Sequence, residues 1–142
     1  MIGKWIYDLC DTYREDLFGV GATTTPCYPA VSAPDAVYPM MTYQVIDTQD
    51  IYTYTSHVDL KWSRVQINIV AQGSGGYTAA WAIADALRGI LHALTVPNTR
   101  QGVIVYAAMV QDTGDLVYAS ADTFESRIYG ARMDLSLGYK GE

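Results

Sequence analysis

Asp112-Thr113-Gly114 has the residue types of an aspartic-protease triplet. That chemistry needs two carboxylates sharing a proton, so a second copy must come from the chain or from a partner. The triplet occurs once here and is followed by Asp115. Asp and Gly are also what tight turns use, and 112–115 reads as a hairpin turn. Gly73-Ser74-Gly75-Gly76 precedes a helical pattern, the setting in which glycine loops cradle phosphates. No Lys-Ser/Thr follows it and its spacing fits neither nucleotide fingerprint, so it reads as a helix-entry turn. His57 and His92, with Cys10 and Cys27, lack the spacing that would gather about four zinc ligands. Cys27 lies in a Pro-rich stretch with no nearby His or Asp in sequence to activate it. The expectation is no catalytic residue, no cofactor and no metal.

One stripe points to binding rather than catalysis. Trp81, Asp85, Arg88 and His92 recur at i, i+4, i+7 and i+11, along one side of a helix. Trp and Arg are common anchors of protein interfaces. The same stripe can equally be the rim of a core, and the sequence leaves both readings open.

Composition bounds the setting. The 142 residues fit one domain. Charged residues make up 17%, below the roughly 25% of ordinary soluble domains, which suggests surface reserved for partners. Twelve tyrosines fit either an interface or a strand-rich fold. The net charge of -6 and the lack of a Lys/Arg run speak against wrapping nucleic acid. The N-terminal segment, with Asp8, Asp11, Glu15 and Asp16, does not read as a secretory leader. Two free thiols in a reducing compartment are therefore expected. No apolar run is long enough to span a membrane.

The positioning elements follow from periodicity. Ile2, Trp5, Ile6, Leu9, Tyr13 and Leu17 predict a helix over 2–18, stopped by Gly19 and Gly21. The Thr/Pro-rich stretch at about 22–40 reads as a linker. Strands are expected at 41–47 and 58–72, with 50–57 as a loop or hairpin end. The apolar phase slips between Trp62 and Val65, which predicts a bulge near Ser63-Arg64. Ala80, Ile83, Ala84, Leu87, Ile90, Leu91 and Leu94 predict a helix over 77–94. Residues 103–111, apolar on both faces, read as a central strand. Leu116-Val117-Tyr118 reads as the start of a returning strand, and 127–137 alternates as a strand. The sum is α+β: a mainly antiparallel four- to five-stranded sheet, with an N-terminal and a central helix packed on one face.

Tyr38-Pro39-Met40-Met41-Thr42-Tyr43-Gln44-Val45, then Arg64-Val65-Gln66-Ile67-Asn68-Ile69-Val70-Ala71, then Asp85-Ala86-Leu87-Arg88-Gly89-Ile90-Leu91 resemble the bacteriophage tail-completion family. These proteins are also called head-to-tail joining proteins or tail terminators. The resemblance runs from about Tyr7 to Leu137 and rests on strand patterns and a helix signature. Where the family opens its first strand with Pro-Tyr, this chain has Pro39 followed by Met40-Met41. The resemblance implies a single tail-completion domain over 1–142 and no enzymatic activity. It implies a homo-hexameric ring at the tail–neck junction of a virion, assembled in the host cytoplasm. Its partners would be the tail tube protein and the head connector or head-completion protein, with DNA passing through unbound. Another neck or minor tail component, such as a connector adaptor, is the alternative. In such a ring Trp81, Asp85, Arg88, Tyr52 and Tyr54 are the expected contacts. Asp47, Asp50, Asp112, Asp115, Asp122 and Glu125 are candidates for an acidic channel lining, unless they serve only turns and solubility.

Overall fold

A computed structural model describes residues 2–29, 38–52, 57–73, 75–116 and 128–141. The chain opens with α1 (Ile2–Thr12) and α2 (Arg14–Phe18), the expected first helix broken at Tyr13. Then come β1 (Cys27–Pro29), β2 (Met40–Tyr52), β3 (His57–Gln72), α3 (Gly76–His92), β4 (Asn98–Arg100), β5 (Val103–Leu116) and β6 (Ile128–Lys140). The six strands form one sheet in the order β1-β2-β3-β6-β5-β4.

The two helices expected on one face are there. Trp5, Ile6 and Leu9 of α1 and Ala80, Ile83, Leu87 and Leu91 of α3 share one buried cluster with Met41, Ile67, Met133, Leu135 and Val105 of the sheet. α3 lies across β3, β6 and β5, while α1 rests near the edges, against β1, β4 and β5. Gly75 takes a left-handed backbone (φ 78°), and a Cβ on Gly76 would stand 3.3 Å from the Ala71 backbone. The glycine run is thus a tight entry that lets α3 start hard against β3.

Four sequence expectations need correction. The sheet is six-stranded and mixed, because β1 pairs in parallel with β2. β1 arises inside the supposed linker, where proline-rich sequence favours extended backbone and an edge strand tolerates Pro29. β4 folds back onto β5 through Gln101 (φ 52°) and Gly102 (φ 78°), a two-residue turn with positive φ at both positions. Asp112–Asp115 is no turn: it continues β5, with Asp112 opposite Asp134 and Asp115 opposite Ala131. β5 is not central, since β4 covers only Val103–Val105 of its outer edge. Finally, β3 has no bulge against β6. Ser63 continues the buried face while Trp62 lies on the other face, over Gly138, so no slip occurs. At that level the irregularity falls across the pair, on β2, where Ile46 is the extra residue between Val45 and Asp47; a second, nearer the hairpin end, leaves Asp59 and Leu60 of β3 extra between the partners of Ile51 and Asp50. With the turn at 112–115 goes the expected returning strand at 116–118: Leu116 closes β5 opposite Gly130, and Val117 and Tyr118 lie outside the described residues.

Candidate assembly surfaces

The far face of the sheet carries no helix among the described residues. Register places Thr42, Gln44 and Asp47 of β2 beside Asn68, Gln66 and Arg64 of β3. Arg132, Asp134 and Ser136 of β6 complete the same face, because their neighbours Ala131, Met133, Leu135 and Leu137 are buried in the core. Arg64 donates to Asp47 at 3.3 Å. Arg132 reaches Asp112 at 3.3 Å and also holds Asp134. Three carboxylates therefore share two guanidinium groups, and all of these side chains are at least 28% exposed. Two extra residues sit on the same row of the sheet: Ile46 beside Val45–Val65, and Gln111 beside Val110–Leu135. Bulges bend strands, and the bend coincides with an open depression of about 400 Å³ whose lining includes Ile46, Arg64, Gln66, Gln111 and Asp134.

The helix stripe is partly engaged within the chain. Trp81 donates its indole N–H to Asp115 Oδ1 at 2.8 Å, and the Tyr77 hydroxyl donates to the same oxygen at 3.0 Å. That hydrogen bond, helped by desolvation and the negative charge, raises the Tyr77 pKa. Arg88 donates to Thr113 Oγ1 at 2.7 Å. Trp81 and Arg88 thus clamp α3 to β5 from the core rim, whereas Asp85 and His92 are exposed. The rim and contact readings of the stripe are compatible, since Trp81 and Arg88 remain half-exposed.

The proposed acids separate in space. Asp47 and Asp112 share the uncovered face, Asp115 turns toward α3, and Asp50 lies opposite Lys61 near the end of the β2–β3 hairpin. Asp122, Glu125 and Tyr54 lie outside the described residues, as does the side chain of Tyr52, which closes β2 opposite His57.

Cys10 and Cys27 are free and buried. The Cys10 Sγ lies 3.8 Å from the Met41 Sδ. Contact with Cys10, then burial, drives the Cys27 pKa far up, so its thiol stays protonated and a poor nucleophile. Among the described residues no three His, Cys, Asp or Glu side chains converge as metal ligands. No described helix is long and apolar enough to cross a membrane.

Sequence reasoning missed the tie between α1 and the far strand edge. Trp5 Nε1 donates to Asn98 Oδ1 at 3.1 Å, and Arg100 pairs with Asp8 at 3.0 Å. No local signal announces such contacts, because the partners lie about ninety residues apart.

Among the described residues the fold is an α+β sheet with helices on one face and a polar face without a helix on the other. No protein-family model and no curated protein matches the sequence. The fold itself is shared with a solved chain from the virion of a native gene transfer agent (GTA) particle, at a TM-score of 0.60 and 12% identity. The superposition covers 94% of this chain and 92% of that one, so the two share their architecture from end to end.

Proposed function

We propose that this chain is a non-enzymatic structural protein of a tailed phage or phage-like virion, acting as a ring-forming tail terminator between tail tube and head connector. The observation that carries this reading is the fold shared over 94% of the chain with a GTA virion component. The tail-completion resemblance of 38–45, 64–71 and 85–91 supplies the finer position. The chemistry of the side chains agrees with it. Asp112, the one protease-like carboxylate, stands in a strand opposite Asp134, and Arg132 ion-pairs with both, a cation pairing that a proton-sharing protease dyad does not have. Cys27 is a buried protonated thiol.

In this reading the chain is a single domain that meets copies of itself, the tail tube protein and the head connector, while DNA passes through the ring. Asp47 and Asp112 then become the favoured channel acids, because they share the uncovered face. Arg64 and Arg132 moderate their charge, leaving a weakly acidic surface that repels DNA within roughly a Debye length, about 8 Å at physiological salt. Deleting the gene from the genome that carries it tests the assignment. Full heads and unjoined tails, restored to whole particles by the wild-type chain, are the expected result. Complete infectious particles in its absence would overturn it, and tails joined but otherwise defective would favour another neck or minor tail role.

A further inference from the structure

Two stretches of sheet edge are left open among the described residues. β1 covers β2 only at Met41–Tyr43, so β2 from Gln44 onward has no partner on its outer side. β4 covers β5 only at Val103–Val105, so β5 from Tyr106 to Leu116 is likewise open. An open edge presents a row of unpaired N–H and C=O groups, and proteins that keep such edges solitary protect them with charges, lysine above all, with proline or with bulges. Neither stretch contains a lysine or a proline; each carries aspartates and a bulge, at Ile46 on β2 and at Tyr106 and Gln111 on β5, which bend the strand but leave its outer N–H and C=O groups unpaired among the described residues. Instead, four of the chain's exposed large apolar side chains lie there: Val45 and Ile46 on β2, Tyr106 and Met109 on β5.

We infer that these two edges are complementary and that β5 of one copy pairs antiparallel with β2 of the next, extending the sheet from subunit to subunit. The inference rests on the ring reading above and names the surface that would build the ring. Three features of the fold select a second copy of this chain as the occupant. The two strands run in opposite directions within the sheet, so a neighbour related by rotation about one axis presents β2 antiparallel to β5. The covered segments lie at opposite ends of their strands: β1 sits at the Met41 end, level with Asp115, and β4 sits at the other end, level with Asp50. Sliding the incoming β2 toward Leu116 moves both short strands out of the way. Strands in closed barrels tilt by about 35–45°. Across the four strands β2, β3, β6 and β5, each about 4.8 Å apart, that tilt displaces neighbouring copies by roughly four to six residues at about 3.3 Å each. A displacement of that size sets the open part of β2 against the open part of β5. The contact joins two different edges, so it is heterologous and propagates until rotation closes it.

Disulfide trapping in the purified chain tests the contact directly. Asp47→Cys or Gln49→Cys on β2 is mixed with Met109→Cys or Asp112→Cys on β5, under mild oxidation at high protein concentration. These positions face the uncovered side, and the native thiols are buried. The expected result is a β2–β5 mixed dimer in at least one combination, in excess of either variant with itself. A chain carrying both cysteines should give a ladder of multimers. Adding Ile46→Lys should remove the ladder without moving the melting temperature. Homodimers outnumbering mixed dimers, or trapping no faster than an exposed Glu15→Cys control, would overturn the inference. Its failure is separable from that of the neck assignment: a ladder without the gene-deletion phenotype keeps the contact and removes the role, and the reverse outcome does the opposite.

Discussion

The two faces of the sheet are built from the same strands and do opposite things. On the helix side, Met41, Val65, Ile67, Ile69, Met133, Leu135 and Leu137 are almost wholly buried under α1 and α3. On the other side the alternate residues, among them Gln44, Arg64, Gln66, Asn68, Arg132 and Asp134, remain wholly or partly exposed and pair mostly with one another. Burial of apolar area stabilises the fold, so stability is concentrated on the first face. The second face is free to vary its chemistry, and it ends laterally in the two open edges. A protein that must offer surface to partners can be arranged this way without weakening its core.

This contrast can be broken by mutation. Trp5→Ala should cost most: the ring is completely buried and its N–H bond to Asn98 joins α1 to β4. A loss of about 3–5 kcal/mol is expected in urea unfolding. Leu87→Ala, under the centre of α3 at 1% exposure, should cost about 2–5 kcal/mol. A change below about 0.5 kcal/mol at either position would mean the helix face is not the stabilising one. On the opposite face Gly138→Ala should cost about 1–3 kcal/mol, because its Cβ would stand 3.1 Å from the Trp62 ring. Arg132→Gln should stay within about 1 kcal/mol, since its ion pairs are partly exposed and salt-screened.

The smallest effect is one of pH. A hydrogen bond from Thr25, opposed by some desolvation and aided by Arg14, holds the Asp11 carboxyl below its usual 3.8. A depressed carboxylate stabilises the fold above the unfolded value, and that contribution is lost as the pH falls through the lower folded value. Thr25→Val should therefore weaken the fold at neutral pH slightly and flatten its acid decline. Melting temperatures followed below pH 5 would read this, and an unchanged acid slope would count against it.

Much of the fold was legible in local pattern. α1, α3 and β6 carry long, clean periodicities, β3 carries one from Val65 onward, and both helices bury the residues their spacing selects. β1 and β4 were not legible, because three residues hold no period. Asp112-Thr113-Gly114 was misread because its turn chemistry is overridden at a distance. Asp112 pairs with Arg132, Thr113 accepts from Arg88, and Gly114 leaves room for the Arg132 guanidinium, which a Cβ would approach to 2.9 Å. The stripe of Trp81 and Arg88 was visible, but its partners Asp115 and Thr113 lie on another strand. The open edges could not be read at all, since an edge is a property of strand order.

The position of the chain in the particle is the central claim. Gold-labelled antibody against it, imaged on purified particles by electron microscopy, tests this most directly. A single focus where the tail meets the head is the predicted result. Label along the tail tube, over the capsid, at the distal tip, or missing from particles altogether would contradict it.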